Sequence, residues 1–435
     1  MNLEELKKRR LAFVSLLSDD SVAILSSANK NFRTRDVENL YRQDSDFLYM
    51  NAISEPNLIN VIYKKNNNIF SVLFRNNTSF HEKIWDGSRL DNNEIKNKYG
   101  FTEINDYENY KERILSYLKG KKALYIEFGL NKELDNLVYE KVLSSAVNNR
   151  HNEFLPKKII TLSEITHKLR LIKSPYEIDL IKKAAKVSIR AHEKVMKEAK
   201  VGMFEYELDA EIKYEFNKNN MNQAYIPIVG SGNNACILHY IKNNDKLKNN
   251  DLVLVDAAAE YQGYASDITR TFPVNGKFTK EQAMLYDVVL SAQEKTIDFI
   301  KPGVTWDQVH QVTVEEISKG LIKLNLISEN IDNVLKNHLY KDFFMHKTGH
   351  WLGLDVHDVG EYEKILFRPG MVITVEPGIY INSFYEKVPE EWRGIGIRIE
   401  DDVLITENGN EVITKDLAKK RHEIEAICTR SNDVS

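Results

Sequence analysis

Four strand-like apolar runs in the second half of this chain each carry a carboxylate where a central strand should hold a hydrophobe. Asp256 ends Leu252–Val255, Asp267 lies inside Gly263–Phe272, Glu376 ends Val372–Val375, and Glu400 follows Gly394–Ile399. A carboxylate buried without a partner is expensive, so each must find a cation or a hydrogen-bond donor. Antiparallel pairing can set Asp256 opposite Asp267, and Glu376 opposite Glu400. Any one of them alone reads most simply as a cap or a surface ion pair at a strand end. Four converging carboxylates are different: they repel, and most would have to be protonated unless cations neutralise them. Hard oxygen ligands joined by one imidazole suit Mn2+ or Mg2+, with Zn2+, Co2+ and Fe2+ as alternatives.

Histidines complete the pattern. Three of them, His346, His350 and His357, fall within Met345–His357, between the two carboxylate pairs. His346 and His350 are four apart, but no H-E-x-x-H occurs, so a zincin helix is not supported. Gly349 and Gly353 favour extended chain and tight turns there. His239 ends the apolar run Ala235–Leu238. Gly230–Ala235 fits the G-x-G-x-x-A dinucleotide fingerprint on paper. It fails on context, because only a short segment separates it from the polar run Lys242–Asp251, which reads as a solvated turn, and the fingerprint must open a helix. Cys236, inside an apolar run, reads as a packed thiol rather than a nucleophile.

The 435 residues allow two or three domains. A net charge of −4 counts against a mainly electrostatic nucleic-acid binder. No apolar run reaches the 18 residues of a membrane helix, and two cysteines fit a reducing compartment such as the cytoplasm. Lys7–Arg10 followed by Leu11–Leu17 loosely resembles an export signal. That stretch ends at once in Ser18-Asp-Asp20 without a small-residue cleavage site. Leu3, Leu6, Phe13, Val14 and Leu17 instead share one helical face, which predicts a packed helix.

Up to about residue 165, strands Val22–Leu25, Leu58–Tyr63, Ile69–Phe74 and Ala123–Ile126 alternate with helices over 107–118 and 132–147, an α/β pattern. Ser174-Pro-Tyr-Glu177 is a capping box with proline at the first helical position, and it opens a helix reaching about Lys200. Thr279–Gln282 and Thr305–Gln308 open two more. Strands are expected at Tyr225–Val229, Leu252–Asp256, Tyr264–Phe272, Val372–Tyr380 and Ile395–Ile405. The second region is therefore α+β, with helices then strands in each of two halves.

The stretches His239, Asp256–Val274, His346–Gly360, Val375–Tyr380 and Gly394–Asp402, in that order, resemble the aminopeptidase P (Xaa-Pro aminopeptidase) family of dinuclear metallopeptidases. Tyr41–Phe47 (YRQDSDF) and Ile84–Arg89 (IWDGSR) are similar to its N-terminal domain. The resemblance implies an α+β chain: a creatinase-like α/β N-terminal domain over residues 1–172, then a pita-bread catalytic domain over 173–435. It implies two divalent ions per chain, Mn2+ first among them, held by Asp256, Asp267, His350, Glu376 and Glu400, with Asp267 and Glu400 bridging. It places His239, His346, His357 and Tyr380 around the substrate and Arg398 beside the metals, and it brings Trp85 in from a neighbouring subunit of a homodimer or homotetramer. Glu376 would carry the proton and His357 would stabilise the oxyanion when a metal-held hydroxide attacks the bond before proline. The implied partner is a peptide beginning Xaa-Pro, with no nucleic acid and no membrane. Lys347, Ala258 and Ser266 depart from the family's wording without removing a ligand. Prolidase, restricted to dipeptides, is the nearest rival.

Overall fold

The computed structural model describes residues 2–143 and 155–429. They fall into two compact units, Met1–Arg170 and Leu171–Ser435.

The first unit is built on one six-stranded sheet, ordered β4-β3-β2-β1-β5-β6. Its strands are β1 (Ser21–Ser26), β2 (Ile59–Lys65), β3 (Asn68–Phe74), β4 (Glu103–Asn105), β5 (Ala123–Ile126) and β6 (Lys158–Thr161). β1 pairs antiparallel with β2 and parallel with β5, so the sheet is mixed. Val22, Ile24, Val61, Val72 and Phe74 pack with Ile114 and Leu118 of the helix Tyr110–Leu118. Each such side chain contributes roughly 1.5–3 kcal/mol on burial. The helix expected at the N-terminus forms over Leu3–Leu16 and buries Leu6, Phe13 and Val14. The helix expected over 132–147 begins at Lys132 and continues to Leu143 with a last turn of π-type; residues 144–147 of that expectation lie outside the described residues.

In the second unit all three capping boxes form. They open the helices Pro175–Glu198, Lys280–Phe299 and Trp306–Lys323. These and the helix Glu205–Lys218 accompany small sheets. One sheet is ordered β12-β9-β8, from β8 (Ile228–Ser231), β9 (Leu252–Asp256) and β12 (Thr269–Pro273). β7 (Asn222–Gln223), β10 (Ala259–Tyr261) and β11 (Tyr264–Ala265) form a second. In the other half, β13 (Val372–Val375) pairs with β16 (Asp401–Thr406), which pairs with β17 (Gly409–Val412), and β14 (Gly378–Ile381) pairs with β15 (Ile395–Arg398). Val289, Ile317, Leu321, Phe272 and Ile397 lie in the main apolar cluster.

Three runs expected as single strands are broken. Tyr264–Phe272 splits into β11 and β12, Val372–Tyr380 into β13 and β14, and Ile395–Ile405 into β15 and β16. The breaks hold Asp267, Glu376 and Glu400 respectively. At each one the chain leaves one sheet for another, which frees the carboxylate from the alternation of a strand. Asp256 and Asp267 are accordingly not opposite one another: Asp256 pairs with Thr269. Tyr225 also lies outside a strand, since β8 starts only at Ile228, after Pro227, which has no N–H for a ladder.

Candidate metal centre

A cavity of about 390 Å3 in the second unit is lined by Asp256, Asp267, Glu376 and Glu400, and by His239, His346, His350, His357 and Arg398. All nine were expected near one another from sequence. Asp267, His350 and Glu400 each offer one ligand atom, and these atoms lie within 4.8 Å of one another. Asp256 and Glu376 flank this trio. Tyr380 stands behind the wall and reaches it through hydrogen bonds. Trp85 belongs to the first unit, where it ends the short helix Phe80–Trp85 and is 75% exposed.

The backbone explains the placement of His350. Residues 348–350 run beside β13, with the Glu376 amide donating to the Thr348 carbonyl (2.8 Å) and the Thr374 amide to the His350 carbonyl (2.9 Å). Gly349 makes this possible, because a Cβ there would lie 1.9 Å from the Thr374 carbonyl oxygen. His350 donates Nδ1–H to the Trp351 carbonyl at 3.0 Å and turns Nε2 toward Asp267 (3.3 Å) and Glu376 (3.5 Å). This is how a metal-binding imidazole is held: one nitrogen tied to a carbonyl, the other aimed at the ion.

Hydroxyls and one guanidinium hold the carboxylates. The Tyr225 hydroxyl lies 2.6 Å from an Asp256 oxygen and also meets Asp267. One phenolic proton can serve only one of the two at a time. Thr269 donates to Glu400 (2.7 Å) and accepts from Arg398 Nε (3.0 Å). Arg398 also donates to Asp256 and to the Tyr380 oxygen (3.1 Å). Tyr380 in turn donates to His346 Nε2 (2.9 Å), whose Nδ1–H is taken by the Lys347 carbonyl at 2.8 Å. Behind Asp267, buried Asp402 accepts from the Ser266 hydroxyl and the Asp267 amide. Tyr225, Thr269 and Asp402 were not picked out as site residues from sequence.

The charge balance favours a cation. Burial, with the charges of Asp267, Glu376 and Asp256 added, raises Glu400 well above the ordinary carboxylate range, although Arg398 opposes this. Burial lifts Glu376 to about 7, against the pull of His350 and Arg398. Burial disfavours a charged His350 ring, yet its bond to Asp267 and the charge of Glu376 hold it up at about 9. Burial and Arg398 push His346 down to about 3, so that ring is neutral. Divalent cations among oxygen ligands and one imidazole nitrogen relieve this strain, and the donor set fits them.

Residues 179–407 match metallopeptidase family M24, and residues 6–125 match the N-terminal domain of aminopeptidase P. The Xaa-Pro aminopeptidase of Escherichia coli K12 is 40% identical over 429 residues, which cover 98% of this chain and 97% of that one. The aminopeptidase PepP of Pseudomonas aeruginosa superposes with a TM-score of 0.96 at 39% identity, covering 100% of this chain and 99% of that one. Aminopeptidase P from E. coli with the inhibitor Pro-Leu superposes with a TM-score of 0.95 at 39% identity and the same coverage.

Proposed function

The chain belongs to metallopeptidase family M24, and from that premise we propose how its cavity removes the first residue from peptides with proline second. Its activity is that of a metal-dependent Xaa-Pro aminopeptidase, on the two-domain pita-bread fold of that family. The observation that carries the reading is the close grouping of Asp267, His350 and Glu400 with Asp256 and Glu376 beside them.

Asp256, Asp267, His350, Glu376 and Glu400 would hold two divalent ions, Mn2+ in the first place, which would supply a nucleophilic hydroxide near neutral pH and Lewis acidity at the scissile carbonyl. Glu376 takes the proton from the nucleophile and returns it to the leaving proline nitrogen. His357, exposed in the cavity wall, donates to the oxyanion. Arg398 pairs with Asp256, where it opposes the rise that burial imposes on that carboxyl, and orients Tyr380. Through Tyr380 it fixes the neutral tautomer of His346, which leaves that ring an uncharged wall for the pyrrolidine. His239 faces the same space. The free α-amine of the substrate sits near the carboxylates, and this makes the enzyme an exopeptidase.

The full division at 172/173 and assembly into two or four copies, with Trp85 closing a neighbour's pocket, belong to the same reading. The exposure of Phe80, Ile84 and Trp85 on one short helix supports it, and sedimentation velocity tests it. The cytoplasm is the compartment this reading assigns. Cys236 and Cys428 are both free thiols, and no helix among the described residues is long and apolar enough to cross a membrane. Cell fractionation tests that assignment. The deciding experiment for the activity is kcat/KM on matched Xaa-Pro-Xaa and Xaa-Ala-Xaa tripeptides and on the Xaa-Pro dipeptide, with and without Mn2+. The proline tripeptide should be cut much faster and only with metal. Equal rates on proline and alanine would mean a general aminopeptidase, and cleavage confined to the dipeptide would mean prolidase.

A further inference from the structure

The glycine-rich turn that imitates a dinucleotide fingerprint does hold an anion, but the anion is the protein's own. Gly230–Ala235 ends β8 and continues into a short 3-10 turn over Gly232–Cys236, with no α-helix for a cofactor phosphate to cap. Its donors converge on Glu205, the first residue of the helix Glu205–Lys218, which is fully buried. One carboxylate oxygen of Glu205 accepts from the Ser231 amide (2.7 Å), the Ser231 hydroxyl (2.8 Å) and the Asn234 side-chain amide (3.0 Å). The other accepts from the Tyr240 hydroxyl (2.7 Å) and the Asp245 amide (2.9 Å). Five donors come close to saturating the lone pairs of one carboxylate.

Local pairing delivers Glu205 to this place. The Gly202 amide donates to the Leu247 carbonyl, the Leu247 amide to Met203, and the Glu205 amide to the Asp245 carbonyl. The turn is shaped to receive it. A Cβ on Gly230 would lie 2.9 Å from the Asn234 backbone, and Gly232 has φ +52°. Nor is the polar run after it a plain solvated turn: Asn243 is buried and bonds the Val229 amide and the Pro227 carbonyl. All five donors on Glu205 belong to residues 231–245, and that segment carries Leu238 and His239 to the cavity.

We propose that Glu205 is a positioning residue for substrate binding: its carboxylate is the internal anion around which segment 231–245 sets, and so it fixes where His239 stands. The inference rests on the reading of His239 as a substrate residue. Glutamine in place of Glu205 keeps the volume but turns an N–H2 group toward donors. The metal ligands lie outside the segment, so metal content should not change.

The experiment is steady-state kinetics on an Xaa-Pro-Xaa tripeptide with the Mn2+-loaded enzyme, for Glu205→Gln, His239→Ala and the double variant, with metal counted per chain. Glu205→Gln should raise KM by about tenfold, the scale of one lost contact, with kcat within about twofold and metal content unchanged. The double variant should match His239→Ala alone, because coupled residues are not additive. A wild-type KM for Glu205→Gln, or effects that multiply in the double variant, would overturn the proposal. If His239→Ala alone leaves KM unchanged, the assignment of His239 fails first. If it raises KM and Glu205→Gln does not, only the present inference fails. Tyr240→Phe removes one donor and keeps the ring, which guards against a Glu205 variant that does not fold. Its KM should rise by roughly two- to threefold, and an unchanged KM would also overturn the proposal.

Discussion

Glu400 and Asp401 are consecutive and equally buried, yet they face opposite sides of the catalytic unit and meet opposite surroundings. On the cavity side, Glu400 sees Asp267, Glu376 and Asp256, and Arg398 offsets only part of that charge. On the far side, Asp401 accepts from Arg270 Nη2 (2.7 Å), Lys419 (2.8 Å), Gln293 (2.7 Å) and Thr414 (2.8 Å). Burial alone would raise Asp401, but Arg270 and Lys419 outweigh it and hold the carboxyl down at about 2. Arg270 also donates to the Glu400 carbonyl at 2.6 Å, so the balanced side pins the backbone of the unbalanced one. The depth of burial is the same on both sides. The number of cations the chain itself provides differs, and the cavity side leaves part of that number to a guest.

The largest effect should come from removing that guest. Chelation should lower turnover of Xaa-Pro-Xaa by at least about a thousandfold, the several kcal/mol that a metal supplies to such chemistry, and Mn2+ should restore it. Asp267→Ala or Glu400→Ala should not be restored. Full turnover in protein shown by elemental analysis to be metal-free would erase the contrast between the two sides.

Next is the far side, where breaking the pair should cost stability and not metal. Asp401→Ala leaves Arg270 and Lys419 without their carboxylate, and removing one partner of a buried pair typically costs about 3–5 kcal/mol. The thermal transition of the metal-loaded protein reads this. A loss below about 1 kcal/mol would mean that the network carries little.

The smallest effect tests a third kind of burial, a group kept neutral. His192, on the helix Pro175–Glu198, places Nε2 2.8 Å from the Ala257 carbonyl. Burial pushes its pKa down to about 4, helped by Arg270 and opposed by the Ala257 carbonyl and Asp267. The unfolded chain then binds the extra proton between about pH 6.5 and 4. His192 therefore contributes full stability above that window and loses it as pH falls through it. The loss is at most on the order of 3 kcal/mol. His192→Gln should flatten the acid limb of a stability–pH curve by that amount, and identical curves would assign acid sensitivity to other groups.

That Asp256, Asp267, Glu376 and Glu400 would gather at one place was legible in sequence because charge inside an apolar run is a rare and costly arrangement, and His350 joined them through the family resemblance. The capping boxes and the N-terminal helix were legible for a similar reason, since each is a local pattern with a local cause. The strand breaks were not. Val372–Tyr380 is apolar on both sides of Glu376, and hydrophobicity does not report which sheet a residue joins. The expected pairing of Asp256 with Asp267 failed for that reason, as Ser266–Ile268 belongs to neither strand. Tyr225 and Thr269 are ordinary sheet-forming types and carry no mark of the carboxylates they touch. Glu205 looks like an acid in the first turn of a helix, and its five donors come from residues 26 to 40 positions away.

The strand breaks also bear on how long the folded chain lasts. Asp256, Asp267, His350, Glu376 and Glu400 stand at the ends of strands or between them, spread over more than a hundred residues of sequence, so a cation held in the cavity would add a further tie to segments already joined by hydrogen bonds such as those from Thr374 to His350 and from Glu400 to Thr269. A ligand that binds only the folded form stabilises it by RT ln(1 + [L]/Kd). The persistence of this chain in a cell is then partly a matter of supply: scarcity of the ion would remove the enzyme as well as its activity.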